Sequence, residues 1–246
     1  MKRLVPLRLH TRRGPSIAAR WDSNVPDRCF DLLGGHDRTY PFLLDHVEHV
    51  IAVHTSSEVS KDALDVGSGI GFSTDMLRRL GFTALGIDPS RKSIETAVTL
   101  FGDRFRRQTV SQHLKEVGSE RYDVVLLLMT LHCVADYQKE LRQIERILRP
   151  NGVLIVTIPH PHRYLQHKDY FSQITFDYFR EACFEVPFRV STSRQHRSRV
   201  LFYHRPMQSY LNGLCDSNFS IEQVIEPAES DTARLADILT VVAKKC

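Results

Sequence analysis

The sequence predicts a doubly wound α/β fold with an inserted segment, and three observations carry that expectation. From residue 62 to residue 158, short apolar runs alternate with amphipathic ones, the rhythm of strands joined by right-handed crossover helices. Two of those runs, Asp123 to Met129 (DVVLLLM) and Val153 to Ile158 (VLIVTI), are almost continuously apolar, as expected of central parallel strands covered on both faces. The segment Leu64 to Phe72, LDVGSGIGF, sets Gly67, Gly69 and Gly71 between an apolar lead-in and a helix-like run from Ser73 to Leu80. Strand, glycine turn and helix N-terminus together bring backbone close to a nucleotide-like ligand. Glycine serves there because it admits positive φ and has no Cβ to hold the ligand away.

Taken in order, residues 1 to about 20 form a basic arm, MKRLVPLRLHTRRGP at its start, in which Pro6 and Arg8 interrupt any apolar core. A frayed tail is expected rather than a signal peptide. Trp21 to Tyr40 is irregular, with Gly34-Gly35 marking a turn. Leu43, Leu44, Val47, Val50 and Ile51 recur at helical spacing, so a helix is predicted over 41–54. A strand is expected at 62–66, a helix at 72–80, the breaker Gly81, and a second strand at 82–87 ending in Asp88-Pro89-Ser90. Ser90 suits the N-cap of the next helix, whose Ile94, Ala97, Val98 and Phe101 share one face. A weak third strand falls near Arg106 to Val110, and a helix over 136–148 closes at Pro150-Asn151-Gly152.

From Pro159 to about Tyr203 the rhythm breaks. This part is aromatic, histidine-rich and basic, with strand-like pieces at 184–190 and 199–203, and it is expected to lie over one edge of the sheet. Regularity returns with a helix over 206–215, a strand from Phe219 to Ile225 and the β-branched run Ile238 to Val242. The chain is therefore expected to be one domain. Arm and first helix occupy 1–60, the cofactor core 61–158, a substrate lid 159–205, and the closing sheet elements 206–246.

Composition bounds the class. With 246 residues, 42% hydrophobic and 25% charged, the chain has ordinary globular make-up. Its net charge of +4 is too small to imply a nucleic-acid partner. Five cysteines, scattered and without a CxxC pair, argue against a disulfide framework or zinc site and suit a reducing compartment. No apolar run approaches the ~20 residues of a membrane span. A soluble, cytoplasmic protein is expected, with no membrane partner and its oligomeric state left open.

Two ligands compete for the glycine turn. A dinucleotide wants G-x-G-x-x-G, but here the spacing is G-x-G-x-G and Phe72 stands where the third glycine would pack helix on strand. Asp65 precedes the turn; a pyrophosphate would be repelled by its carboxylate, whereas the ammonium of a methionine moiety would be attracted. Asp88, ending the second strand, is placed to accept from both hydroxyls of a ribose. Each feature alone also fits an ordinary tight turn or a helix cap.

In LDVGSGIGF, LGIDPS, YDVVLLLMTLH and ILRPNGVLIVTIP the sequence resembles the class I S-adenosylmethionine-dependent methyltransferases over roughly residues 40–160. The stretch HRPMQSYLNGLCDSNFSIEQVIEP and the closing ILTVVAKKC resemble the C-terminal part of many small-molecule members. The resemblance implies a seven-stranded sheet whose last strand is antiparallel between its neighbours. It also implies S-adenosylmethionine as cofactor, with S-adenosylhomocysteine as product. Asp65, Gly67, Ser68, Gly69 and Gly71 would line the methionine end, and Asp88 with Pro89 the ribose. Ser111 and Gln112 would lie near the adenine, Met129 near the sulfonium, and Tyr40 would close the pocket from the N-terminal side.

Methyl transfer from a sulfonium is an in-line displacement that rests on positioning and desolvation, with a base needed only where the acceptor loses a proton. Ligands of open α/β sheets bind beyond the carboxyl ends of the strands, which makes His160 the first candidate base, then His204 and His132. Each has a structural alternative, since histidine is easily over-read. His160-Pro161-His162 lacks the neighbouring carboxylates of a metal site, and Met129-Thr130 and Pro159-His160 offer no acid, so no metal is expected. Trp21, Tyr164, Phe176, Phe179 and Tyr203 are the candidate acceptor contacts, within an aromatic segment suited to a flat or apolar substrate. The run Arg189, Arg194, Arg197 and Arg199 is first a solvated face, then a site for an anionic acceptor. The leading expectation is metal-independent transfer to an O or N atom of a small aromatic or heterocyclic metabolite, as in natural-product biosynthesis. An RNA methyltransferase, a non-catalytic S-adenosylmethionine-binding partner subunit and a dinucleotide oxidoreductase stand as alternatives.

Overall fold

The computed structural model describes residues 4–5, 18–19, 21–22, 39–55, 61–162, 177–187, 199–228, 230, 233 and 235–246. Its elements are β1 (Leu4–Val5), α1 (Thr39–His54), β2 (Asp62–Val66), α2 (Phe72–Arg79), β3 (Thr83–Ile87), α3 (Arg91–Phe101), β4 (Phe105–Arg106) and α4 (Val110–Val117). There follow β5 (Tyr122–Leu128), a single 3-10 turn Leu131–Cys133, α5 (Tyr137–Ile147), β6 (Leu148–Pro159), β7 (Ala182–Pro187), β8 (Arg199–His204), α6 (Met207–Cys215), β9 (Phe219–Ile225) and β10 (Ile238–Lys245). No helix among the described residues is long and apolar enough to cross a membrane.

Seven strands form one sheet in the order β4-β3-β2-β5-β6-β10-β9. The first five neighbours pair in parallel, and β10 runs antiparallel to both β6 and β9. This is the expected fold, including the reversed last strand between its neighbours. Its centre explains why β5 shows no alternation in sequence. Val125 and Leu127 enter one core with Leu141 and Ile144 of α5 and Leu214 of α6. Val124, Leu126 and Leu128 enter the other with Val47 and Ile51 of α1 and Met76 and Leu77 of α2. Side chains alternate across a strand, so a sheet with helices on both faces needs apolar residues at every position. Each fully buried aliphatic side chain contributes roughly 1.5–3 kcal/mol to that packing.

Side-chain caps set the starts of α3 and α5. Ser90 Oγ accepts from the Ser93 amide at the start of α3, and Asp136 accepts from the Lys139 amide at the start of α5, each satisfying an amide that has no intrahelical partner. At the opposite end of the sheet Arg149 bridges Asp62 (2.8 Å) and Asp123 (2.6 Å), joining the starts of β2 and β5.

Three expectations are corrected. The third strand is two residues, Phe105–Arg106, because Thr109 opens a capping box with Gln112 and starts α4 at Val110. The Pro150-Asn151-Gly152 turn lies inside β6, which begins at Leu148; Tyr122 pairs Leu148 and Val124 pairs Val153, so the turn is bulged out of the ladder. The N-terminal arm is not simply a frayed tail. Leu4 and Val5 pair with Phe184 and Cys183, adding an edge strand to the β7–β8 hairpin of the inserted segment.

Candidate active site

The glycine turn between β2 and α2 holds Gly67, Gly69 and Gly71 at φ values of 74°, 55° and 99°, a region that penalises any residue with a Cβ. The amides of Gly67 and Ser68 donate to the Ile87 carbonyl at 2.8 and 3.1 Å, tying the turn to the end of β3. A Cβ on Gly67 would stand 2.3 Å from Thr130 Oγ1, so the close approach of the two strand ends also requires glycine there. At Gly71 a Cβ would meet Phe105 and Phe101 at 2.8 and 2.9 Å. Gly71 therefore lets α2 pack on its neighbours and is placed as a packing residue rather than a ligand contact.

Asp65 lies beneath the turn, fully buried, and its Oδ2 accepts from Ser73 Oγ (2.7 Å) and Thr74 Oγ1 (2.6 Å). The carboxylate thereby holds the first turn of α2, where the helix dipole favours a negative charge; it does not line the cavity described next. Asp88, at the end of β3, accepts from the Gly69 amide (3.0 Å) and the Ser90 amide (2.7 Å), which fixes the orientation of its carboxylate.

A cavity of about 400 Å³ opens at this end of the sheet. Gly67, Asp88 and Pro89 form one side; Gln108, Thr109 and Val110, from the loop before α4, continue it. Met129, Thr130 and the Cys133–Ala135 segment form the wall after β5, joined by Glu140 of α5. Ala18 and Trp21 close it from the N-terminal side. Asp22 anchors that closure by accepting from Ser90 Oγ (2.6 Å) and the Lys92 amide (3.0 Å) at the start of α3. Burial pushes the Asp22 carboxyl up, but these two hydrogen bonds and the charges of Arg107 and Arg91 outweigh it and hold it below its usual range.

The site residues expected from sequence divide accordingly. Gly67, Asp88, Pro89, Met129 and Trp21 meet on the cavity. Ser68 is buried in the turn, and its hydroxyl has no hydrogen-bond partner among the described residues. Ser111 and Gln112 are displaced from it; the shortness of β4 moves the loop upstream, and Gln112 is exposed, its side chain accepting from the Thr109 amide. The side chain of Tyr40 and the whole of Tyr164 and Phe176 fall outside the described residues.

None of the three histidines lines the cavity. His160 has both ring nitrogens engaged: Nδ1 accepts from the His162 amide at 3.2 Å and Nε2 donates to Glu226 at 2.6 Å. His204, on β8, donates from Nε2 to the Tyr178 carbonyl at 2.9 Å, and burial lowers its pKa. His132 packs its ring on Phe202 at 5.2 Å, and burial, then the charge of Arg205, push its pKa down to about 3. A group that weakly basic stays neutral and is a poor proton acceptor near neutrality. Tyr203 is buried in the β7–β8 cluster with Cys183 and Leu201, and burial pushes its phenol up to about 12. Phe179 is 80% exposed.

Two residues were missed. Arg205 is buried with its guanidinium 4.4, 5.3 and 5.9 Å from the rings of Tyr137, Tyr203 and Tyr210. It donates to the carbonyls of Val134 (2.7 Å) and Ala135 (2.9 Å), fixing the cavity wall after β5. A lone arginine in sequence carries no signal for this, because the carbonyls it holds are about seventy residues away. Glu140 did leave a signal. It shares the helical stripe of the buried Tyr137, Leu141 and Ile144, where an apolar residue is expected.

The methyltransferase domain family matches residues 41–195. The chain is similar to the ubiquinone biosynthesis O-methyltransferase of Caulobacter sp. (strain K31), 38% identical over 98 residues that make up 38% of each chain. It is similar also to the mitochondrial ubiquinone biosynthesis O-methyltransferase of Homo sapiens, 29% identical over 131 residues, 50% of this chain and 36% of that one. The chain thus spans less than half the length of either curated relative. Among solved structures, an S-adenosylmethionine-dependent methyltransferase from Listeria monocytogenes superimposes with a TM-score of 0.63 at 22% identity, covering 80% of this chain and 97% of that one. The 1,6-didemethyltoxoflavin-N1-methyltransferase of Burkholderia thailandensis, solved with 1,6-didemethyltoxoflavin and S-adenosylhomocysteine, superimposes with a TM-score of 0.60 at 16% identity, covering 98% and 94%.

Proposed function

This chain belongs to the class I S-adenosylmethionine-dependent methyltransferases, and from that premise we propose that it methylates an oxygen atom of a small aromatic or heterocyclic metabolite, by in-line displacement and without a metal. The observation that carries the reading is the order of groups along one cavity: the bare backbone of Gly67, the Asp88 carboxylate, then the Gln108–Val110 loop. That order matches a methionine end, a ribose diol and a base. The buried Ser68 hydroxyl, with no partner among the described residues, fits a polar ligand group beside the turn.

The cofactor supplies an electrophilic methyl group on a positively charged sulfur. The chain's own residues do the rest. Asp88, held by two amides, is oriented to accept from vicinal hydroxyls; Met129 and Thr130 shape the wall beside the turn; Trp21 and Ala18 exclude water from the N-terminal side. Displacement at a sulfonium gains most from such positioning and desolvation. Arg205 keeps the Val134–Ala135 wall in place. The oxygen acceptor is supported by the two curated relatives, both named O-methyltransferases. A nitrogen acceptor is the second reading, from the Burkholderia structure named for N1-methylation. The absence of acids at Met129-Thr130 and Pro159-His160 supports metal-free chemistry.

Calorimetric titration with S-adenosylhomocysteine and with NADH tests the cofactor, and a tritiated-methyl screen over metabolite extracts tests the transfer. Binding of NADH in preference to S-adenosylhomocysteine, or label entering RNA but no small molecule, would overturn the reading.

A further inference from the structure

We propose that Glu140 is the group by which the cavity recognises the base of its bound nucleoside, accepting a hydrogen bond from an exocyclic amino group; this rests on the reading above that the cavity holds an adenosyl cofactor.

Four observations converge. Glu140 is half-buried and lines the cavity, on the stripe of α5 that otherwise carries Tyr137, Leu141 and Ile144. The other polar side chains of the wall have protein partners, and the remaining acceptor capacity of Asp88 is assigned to the diol. Asp88 accepts from two amides. Gln108 contacts His113 Nδ1 at 2.9 Å and donates to Glu116. Thr109 pairs with Gln112, and Thr130 donates to the Leu128 carbonyl. Glu140 has no hydrogen-bond or ion-pair partner among the described residues.

Its place in the fold selects the ligand group. The helix α5 packs against α4, whose first residue Val110, with Gln108 and Thr109, lines the same cavity. With the diol at Asp88 and the methionine end at the glycine turn, the base falls between this loop and Glu140. A half-buried acceptor that faces a cavity and has no protein donor gains from one; an amino N–H of the ligand would supply it. Burial pushes the free carboxyl up to about 7, with Asp136 adding to the rise and Lys139 opposing it, as expected of an acceptor awaiting its donor.

The test is calorimetric titration with S-adenosylhomocysteine and with S-inosylhomocysteine, in which a carbonyl replaces the amino group. The wild-type chain is expected to prefer the adenine form by at least about tenfold, the scale of one hydrogen bond to an ionisable acceptor. Glu140→Leu should lose at least about tenfold in S-adenosylhomocysteine affinity and bring the two ligands within about threefold of each other. Glu140→Gln, whose amide can accept from an amino group or turn to donate to a carbonyl, should hold S-adenosylhomocysteine better than Glu140→Leu does and narrow the preference between the two ligands. Asp88→Asn should weaken both ligands and leave their ratio unchanged, a readout that general damage to the cavity would not give. If the wild-type chain binds both ligands equally, or if Glu140→Leu keeps the wild-type preference, the inference is wrong. Should Glu140→Leu fail to fold by circular dichroism, the wild-type ratio and Glu140→Gln decide. No binding of either ligand by the wild-type chain would instead overturn the cofactor reading itself.

Discussion

Replacing Glu140 with glutamine removes one ionisation from the cavity wall and leaves its volume unchanged, so the change in stability isolates the charge. In the folded chain the carboxyl is raised from 4.5 to about 7, by burial first and by Asp136 second, against the opposing charge of Lys139. In the unfolded chain it titrates at its ordinary value. As pH rises the unfolded state loses this proton first, so folding is progressively disfavoured between the two values and the deficit is constant above them. The stability associated with the neutral carboxyl is thus fully present below about 4.5 and lost by about 7. At about 1.4 kcal/mol per pH unit the shift sets a ceiling of about 3 kcal/mol, and the partial exposure of the side chain reduces this to about 1–2 kcal/mol. Glu140→Gln should therefore match the wild-type chain at about pH 5 and exceed it by about 1–2 kcal/mol at about pH 8. Urea unfolding followed by circular dichroism across that range measures the gap. A gap that stays constant with pH, or that narrows as pH rises, would refute the reasoning.

Other expected outcomes follow from the site's geometry. Gly67→Ala places a Cβ against Thr130 at a positive φ, and should abolish S-adenosylhomocysteine binding by calorimetry while lowering the melting temperature. Asp65→Ala leaves the Ser73 and Thr74 hydroxyls without their acceptor, and should cost about 1–3 kcal/mol in urea unfolding. Arg205→Leu leaves the Val134 and Ala135 carbonyls unsatisfied, and should cost about 3 kcal/mol or more. Arg205→Lys should restore little of that, because a compact ammonium cannot stack on three tyrosine rings while reaching two carbonyls; full recovery of the melting temperature would contradict this account.

How far the sequence could be read depended on the range of the interactions involved. The strands near 62–66 and at 219–225 were legible, and Ser90 was identifiable as a cap, because apolar runs and capping chemistry act within a few positions. The two-residue β4 was overestimated because Thr109 and Gln112, which end the extended run, resemble ordinary polar loop residues until their reciprocal hydrogen bonds are seen. That error moved the residues expected on the cavity wall from Gln108–Val110 to Ser111 and Gln112. The histidines illustrate the opposite limit. Topology put His160 at a strand end facing ligand, but Glu226, sixty-six residues away, takes its Nε2. His132 packs on Phe202 from the small sheet, and that sheet owes its edge strand to the N-terminal arm.

The sequence by itself determined the doubly wound order, the glycine turn and the Asp88 that follows it, since periodicity and glycine conformation are local properties of the chain. Only the tertiary structure decided which polar groups face the cavity and which are held by the protein. Asp65 turned inward to α2, His160 to Glu226, Arg205 into a cage of tyrosines, and Glu140 outward from an apolar stripe to the cavity. The physical reason is that a side chain's chemistry is set by its burial and its partners, and these partners come from strands and helices that only the folded sheet brings together.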